Sequence, residues 1–227
     1  MIKAVIFDMF ETLASLFEGR SYFSEDMAKD LGVPEKEFKT AWHKTEEGRT
    51  TGKYTVAEAA EIVLKDVGVY SKEGVDLITG RRMRNLEDTF SADLSESVAM
   101  LRRLKDEGYL VGLISNCYSD ERDMIKKSPM YPYFDADCLS YEAGICKPDE
   151  RIFRLCADKL GVSFDECLYV GDGGSNELTA ARDLGMKALQ CLYYHHLAYE
   201  PHIPCGVLPD FDHIYKKADL FEYLNGR

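Results

Sequence analysis

Residues 4–12 read AVIFDMFET, an apolar run that ends directly in an acid. Four consecutive apolar residues of this kind are typical of a short strand that is buried on both faces of a parallel sheet. Three further runs share this character, at residues 110–114, 167–170 and 188–192. The pattern therefore predicts several parallel strands within one sheet.

Helical patterns lie between these runs. Apolar residues recur at helical spacing in residues 97–107, 149–160 and 176–184, and each segment is followed by a glycine, the residue that most often ends a helix. Strands that alternate with helices build right-handed βαβ units. The sequence thus predicts a layered α/β fold.

The spacing of apolar residues changes between residues 16 and 89. Apolar residues recur there every three to four positions, without a strand-like run, in residues 23–31, 38–47, 56–67 and 75–86. This stretch predicts an all-helical insertion after the first strand. We therefore expect an α/β catalytic core made of residues 1–15 and 90–227, and a helical cap made of residues 16–89.

Composition restricts the partners. The formal charge is -12, and no cluster of Lys and Arg interleaved with aromatic residues offsets it. A strongly acidic surface repels nucleic acids and anionic membranes. We therefore expect neither as a partner.

Two further features concern the compartment. No apolar run approaches the roughly 18 residues that span a bilayer, and the first residues lead into a strand instead of a signal peptide, so we expect a cytoplasmic protein. Seven cysteines, an odd number without a CxxC pair, indicate reduced core thiols.

Polar residues follow the predicted strands. In an open parallel sheet, ligands gather outside the carboxyl ends of the strands, so these residues are the candidates for a site. The candidate residues are Asp8, Phe10 and Thr12 after the first strand, Ser115 and Asn116 after the second, Lys147 before a helix, and Asp172 and Glu177 in the glycine-rich segment after a later strand.

This set, in this order, resembles the haloacid dehalogenase (HAD) superfamily. Its four motifs are an Asp-x-Asp-x-Thr stretch, a Ser or Thr, a Lys, and a Gly-Asp segment with another acid a few residues on. Residues 140–153 and 180–186 also resemble the subgroup whose helical cap falls between the first and second motifs. The resemblance implies a Rossmann-like parallel sheet core with an inserted all-helical cap domain.

The resemblance implies a hydrolase with Asp8 as nucleophile, which acts on a phosphorylated small molecule through an aspartyl-phosphate. A carboxylate approaches an anionic phosphate more readily when Mg²⁺ bridges the two. The implied Mg²⁺ ligands are Asp8, the main-chain carbonyl of Phe10, and Asp172, with Glu177 joining directly or through water.

The remaining candidates concern the phosphate. Ser115 is expected to donate a hydrogen bond to a phosphoryl oxygen, Asn116 to line the same phosphate site, and Lys147 to neutralise Asp8 and the developing charge. Thr12 belongs to the same set, and we expect it to tie down the turn that leaves the first strand.

The chain departs from the family at Phe10, where its phosphatases carry the second aspartate that protonates the leaving group. Such an acid contributes roughly 10²- to 10⁴-fold. An aromatic residue there resembles the family's metal-free dehalogenases, but the pair Asp172 and Glu177 makes most sense beside a cation. Three hypotheses follow: a Mg²⁺-dependent phosphatase, a metal-free 2-haloacid dehalogenase, and a non-catalytic binding or regulatory module.

A second cluster of metal-ligating residue types lies near the end of the chain. It consists of Cys191, His195, His196, His202 and Cys205. Their spacing is not a standard zinc pattern, so we interpret this segment as a surface loop and assign it no metal.

Overall fold

A computed structural model describes residues 1–199, 202 and 205–226. Its centre is a six-stranded sheet with the order β3-β2-β1-β4-β5-β6, in which every neighbouring pair is parallel. The strands are β1 Ala4–Phe7, β2 Leu110–Ser115, β3 Ala136–Leu139, β4 Cys167–Gly171, β5 Lys187–Cys191 and β6 Asp212–Ile214. The predicted parallel α/β fold is confirmed.

The described residues contain eleven α-helices. Between β1 and β2 lie α1 Ser24–Leu31, α2 Glu35–Lys44, α3 Glu46–Thr50, α4 Val56–Asp66, α5 Lys72–Ser91 and α6 Ser95–Asp106. After β2 come α7 Ser119–Lys127, α8 Ser140–Ala143, α9 Glu150–Leu160, α10 Glu177–Asp183 and α11 Asp219–Leu224.

The first strand lies in the middle of the sheet and is fully buried. Val5 and Phe7 pack into the core on one face, whereas Ala4 and Ile6 pack into the core on the other. Burying a side chain the size of Ile or Phe contributes about 2 kcal/mol. A strand between two helical layers therefore has to be apolar at every position, which is why this stretch dominates the sequence pattern.

Two strands were not predicted. Both lie at the edges of the sheet: β3 contains Asp137, and β6 is only three residues long and contains Asp212 and His213. Edge strands have one paired neighbour and more exposure to water, so polar residues interrupt their apolar runs. Sequence periodicity is a weak signal for such short strands.

The helices that follow β1 form a hydrophobic cluster of their own. Met27, Phe38, Trp42, Val63 and Ile78 are among its buried residues. The cluster is separate from the two that flank the sheet, because α1 to α5 pack chiefly on one another. This arrangement places a small helical bundle beside the carboxyl end of β1.

Polar contacts join this bundle to α7. The Val56 backbone N–H at the start of α4 donates to Ser119 Oγ at 3.0 Å. Arg82 on α5 donates to Asp120 and Glu121 on α7, with the shortest contact to each at 2.8 Å. These contacts hold the bundle over the end of the sheet where the candidate site lies.

Within the described part of the chain, no helix combines the length and the apolar content needed to cross a lipid bilayer. All seven cysteines carry free thiols, and five of them are buried.

Candidate active site

Three carboxylates converge where β1 and β4 end. Asp8 follows β1, Asp172 follows β4, and the pairing of these two strands brings the two residues to the same edge of the sheet. Glu177 begins α10, and one oxygen from each of the three carboxylates lies within 4.8 Å of the others. Carboxylate oxygens at this spacing are the donor set that Mg²⁺ prefers.

Lys147 reaches the nucleophile candidate from the segment before α9. Its Nζ lies 2.7 Å from Asp8 Oδ1, and it also donates to the Tyr169 hydroxyl at 3.3 Å. Asn116 holds the backbone of Lys147 from both sides: its Oδ1 accepts from Lys147 N at 2.8 Å, and its Nδ2 donates to Lys147 O at 3.1 Å. Asn116 therefore positions the lysine, a role that the sequence did not reveal.

Burial and the neighbouring charges raise the pKa of both Asp8 and Asp172. Burial raises the pKa of Asp8, Lys147 opposes that effect, and Glu177 adds to it. Burial, together with Asp8 and Glu177, raises the pKa of Asp172 to about 7. Although burial alone would lower the pKa of Lys147, Asp8 and Glu177 raise it above its usual value. One ammonium does not balance three carboxylates, so the residues present fit a bound divalent cation.

Glu177 organises the loop between β4 and α10. Its side chain is fully buried; Oε1 accepts from Gly173 N at 2.8 Å, and Oε2 accepts from Ser175 N at 2.7 Å. Gly173 has a φ of 99°, a left-handed conformation that glycine adopts without strain. Each carboxylate oxygen has a second lone pair, so these contacts leave Glu177 able to face a cation directly or through water.

The residues after Asp8 form a tight turn. Glu11 has a φ of 55°, and its carboxylate accepts from Ser15 Oγ at 2.7 Å and from Leu16 N at 2.9 Å. Burial raises the pKa of Glu11 to about 7 in spite of these two hydrogen bonds. Glu11 therefore stabilises the turn, while the Phe10 ring packs edge-on against Phe90 with the centroids 6.3 Å apart.

Ser115 and Thr12 are fully buried, and neither lines the cavity above Asp8. Ser115 ends β2, and its Oγ lies 3.4 Å from the Asn116 carbonyl oxygen. The Thr12 hydroxyl accepts from Cys191 Sγ at 3.4 Å. This contact at the buried end of β5 fits the expected role of Thr12 in the turn, and its assignment to the phosphate-binding set stays a prediction.

A cavity of about 470 Å³ opens above Asp8, between the sheet and the helical bundle. Core residues Asp8, Asn116, Lys147 and Asp172 form its floor. The opposite wall comes largely from the bundle and from α7 with the residue before it, and includes Tyr22, Phe23, Met27, Trp42, Glu46, Thr50, Arg82, Tyr118 and Glu121. Helical periodicity alone did not show which of these residues face the cavity.

Charges on the cavity wall are mostly paired. Arg82 contacts Asp120 and Glu121, and all three side chains are close to nine-tenths buried. Burial raises the pKa of Glu121, and Arg82 opposes this effect. The cluster therefore acts as a rigid polar wall between α5 and α7.

His202 is the one member of the Cys and His cluster that lines this cavity. Its ring stacks on Phe23 with the centroids 3.7 Å apart, and its Nε2 contacts Glu25. Cys191 lies elsewhere, buried at the end of β5. A larger cavity of about 540 Å³, beside α6 and α11, contains none of the predicted site residues.

Comparison with known proteins gives a family match over most of the chain. A family model described as haloacid dehalogenase-like hydrolase matches residues 2–185. The glyceraldehyde 3-phosphate phosphatase of Methanocaldococcus jannaschii is 23% identical over 202 residues, which cover 85% of this chain and 86% of that protein. The phosphoserine phosphatase of Thermus thermophilus is 30% identical over 95 residues, and this match spans only 38% of that protein.

Solved structures share the architecture. The 2-haloacid dehalogenase of Pseudomonas syringae pv. Tomato DC3000 superimposes with a TM-score of 0.69 at 23% identity, over 99% of each chain. Identity this low shows the fold alone. The choice between phosphate ester and haloacid chemistry therefore depends on the residues around Asp8.

Proposed function

The chain belongs to the haloacid dehalogenase-like hydrolases, and we propose that it is a Mg²⁺-dependent phosphatase of a phosphorylated small molecule. One observation carries the proposal: Asp8, Asp172 and Glu177 place carboxylate oxygens within 4.8 Å of one another beside the Lys147 ammonium. A metal-free displacement at carbon needs no such accumulation of acids.

Asp8 is the proposed nucleophile. Its carboxylate attacks phosphorus in line with the leaving oxygen, an aspartyl-phosphate forms as the P–O bond to the leaving group breaks, and water then hydrolyses it. Asp8, the Phe10 carbonyl and Asp172 would hold Mg²⁺, with Glu177 directly or through water. The ion supplies charge neutralisation between nucleophile and phosphate.

Lys147 and the end of β2 hold the phosphoryl group. The Lys147 ammonium, 2.7 Å from Asp8, is placed to offset the negative charge that grows on the phosphoryl oxygens. Ser115 and Asn116, at the carboxyl end of β2, are the proposed hydrogen-bond donors to those oxygens. Asn116 also keeps Lys147 in place through its two backbone contacts.

Residues 16–89 are the proposed cap, and residues 1–15 and 90–227 the proposed catalytic core. Side chains between residues 16 and 89 form much of the cavity wall, including Tyr22, Trp42 and Arg82. A cap that closes over the site excludes water and contacts the part of the substrate that leaves. Substrate choice is therefore assigned to the cap.

Phe10 limits the leaving group. Its ring occupies the position of the family's usual acid, and both Glu11 oxygens are already hydrogen-bonded in the turn. Without an acid beside the leaving oxygen, esters of acidic alcohols should react faster than alkyl esters. The proposed substrate accordingly carries a good leaving group, or supplies its own proton.

Phe10 also favours a second candidate, a metal-free 2-haloacid dehalogenase, because an apolar ring suits a haloalkyl group better than a phosphate. In that reaction Asp8 would displace halide from carbon. The carboxylate cluster argues against it, since Asp172 and Glu177 would then lie buried beside Asp8 with only Lys147 to offset three acids.

Hydrolysis of p-nitrophenyl phosphate tests the proposal, because its phenolate leaves without a proton. The rate should require Mg²⁺ and should vanish in Asp8→Asn. Turnover of a 2-haloacid in the presence of chelator, with no Asp8-dependent release of p-nitrophenol, would favour the dehalogenase instead.

A further inference from the structure

Arg49, on the short helix α3, is a buried cation with an incomplete set of partners. Only 1% of its surface is exposed. Its Nη1 donates to Trp42 O at 2.6 Å and contacts Thr45 Oγ1, while its Nε has no hydrogen-bond partner among the residues that the structure describes. Across residues 1–199, 202 and 205–226, no carboxylate oxygen lies within 4.0 Å of its guanidinium.

This arrangement is costly for the folded chain. An ion that leaves water loses several kcal/mol of solvation, which a partner of opposite charge normally offsets. Arg82, on the same cavity wall, follows that rule with two carboxylates. The Arg49 guanidinium is stabilised instead by aromatic faces, with Cζ 3.9 Å from the Trp42 ring centroid and 4.7 Å from that of Tyr118.

Both of these aromatic residues line the cavity above Asp8. Arg49 Nη2 donates to the Tyr118 hydroxyl oxygen at 3.4 Å. Because that oxygen accepts from a cation, the Tyr118 hydroxyl hydrogen is left to donate to another acceptor. Tyr118 therefore combines a place in the cavity wall with a hydroxyl donor that the positive charge of Arg49 polarises.

The acids around the cavity do not already use this charge. Glu121 is paired with Arg82, Glu46 lies 2.6 Å from His43, and Glu11 is held by Ser15 and Leu16. Asp8 and Asp172 belong to the Lys147 cluster. None of these acids therefore serves as the counter-ion of the Arg49 guanidinium.

We infer that Arg49 and Tyr118 recognise a second anionic group on the substrate, a carboxylate on the leaving-group side of the phosphate ester. The Tyr118 hydroxyl donates to the carboxylate, and Arg49 acts through Tyr118 as a positioning residue. This inference rests on the proposed phosphatase, and it narrows the substrate class to phosphate esters of hydroxy acids.

The binding of two phosphate esters to a variant that does not turn them over tests the inference. In an Asp8→Asn background with Mg²⁺, calorimetry compares phenyl phosphate with 3-carboxyphenyl phosphate, which differ by the carboxylate. A charge-assisted hydrogen bond is worth tenfold or more, so the carboxylate ester should bind about tenfold more tightly. Tyr118→Phe and Arg49→Met should each bring the affinity ratio close to one, and Arg49→Lys should restore most of it.

The controls are Tyr70→Phe and Arg84→Met, which alter exposed side chains and should keep the ratio of the Asp8→Asn parent. Tyr118→Phe removes a single hydroxyl, so it tests the inference even if Arg49→Met unfolds the cap. Equal affinities for the two esters in the parent, or an unchanged ratio in Tyr118→Phe, would overturn the inference. If 3-carboxyphenyl phosphate still binds more tightly than phenyl phosphate but p-nitrophenyl phosphate is not hydrolysed, the binding result supports the inference about the carboxylate. The absence of hydrolysis then defeats only the phosphatase proposal.

Discussion

Lys147 Nζ lies 2.7 Å from Asp8 Oδ1, and the two side chains are only 1% and 11% exposed. An ion pair this well shielded from water couples the stability of the core to the chemistry of the site. Removing one partner leaves the other charge buried without compensation.

Lys147→Met should therefore lower both stability and activity. We expect a loss of about 3–5 kcal/mol in the free energy of unfolding by urea, and a fall of at least about 100-fold in kcat on p-nitrophenyl phosphate. The control is Lys72→Met, because Lys72 and Asp76 form an exposed pair that water screens and that should change neither quantity. Near-normal values for both quantities in Lys147→Met would show that the pair has neither role.

Glu177→Gln should weaken metal binding more than folding. An amide nitrogen would face one of the two backbone N–H groups that the carboxylate now accepts from, so the loop that carries Asp172 would shift. Changes of this kind beside a metal site cost about 10- to 100-fold in affinity. The Mg²⁺ concentration that gives half-maximal activity should rise by that factor, whereas Glu37→Gln, on the exposed side of α2, should leave it unchanged. An unaltered Mg²⁺ dependence in Glu177→Gln would remove Glu177 from the proposed site.

Phe10→Asp should supply the missing acid. The ratio of kcat on an alkyl phosphate to kcat on p-nitrophenyl phosphate should rise about 100-fold, because only the alkyl ester needs a proton at the leaving oxygen. Phe10→Leu, which removes the contact with Phe90 but adds no acid, provides the comparison. If both variants give the same ratio, the identity of residue 10 does not limit the leaving group.

Strand burial decided how much of the fold could be predicted. The central strands β1, β2 and β4 are apolar because both of their faces are covered, so short apolar runs identified them. Asp137 in β3 and Asp212 in β6 break such runs at the edges of the sheet. Local sequence records the burial of a strand but not its place in the sheet order.

The candidate site likewise contains residues that the sequence predicted and residues that it did not. Asp8, Ser115 and Asp172 were predicted because each lies at or directly after the end of a strand, and the parallel sheet brings strand ends together. Arg49 and Tyr118 are 69 positions apart, and neither carries a local signal of their contact. Their meeting depends on how α3 and the start of α7 pack, which periodicity does not specify.

The buried thiol of Cys117 should make the folded chain less stable at alkaline pH. Burial, with a contribution from Glu121, raises the pKa of this thiol to about 12, from a usual 9.0. The folded chain therefore keeps a proton that the unfolded chain releases. The contribution of the thiol to the free energy of unfolding is complete below pH 9 and declines as the pH rises towards 12. Between pH 8 and pH 10 the decline is about 1.4 kcal/mol.

Urea unfolding at these two pH values measures that decline. In Cys117→Ala, the difference between the free energies of unfolding at pH 8 and pH 10 should be smaller than in the parent by about 1.4 kcal/mol. If the free energy of unfolding changes equally between pH 8 and pH 10 in the parent and in Cys117→Ala, the fold does not keep the thiol protonated.

Turnover through an aspartyl-phosphate requires that Asp8 carries the phosphoryl group. Rapid acid quenching after the chain is mixed with p-nitrophenyl phosphate and Mg²⁺, followed by mass spectrometry of its peptides, tests this directly. A phosphoryl group is expected on the peptide that contains Asp8, and it should be absent when Mg²⁺ is chelated and absent in Asp8→Asn. Phosphorylation of another residue, or release of p-nitrophenol at full rate by Asp8→Asn, would contradict it.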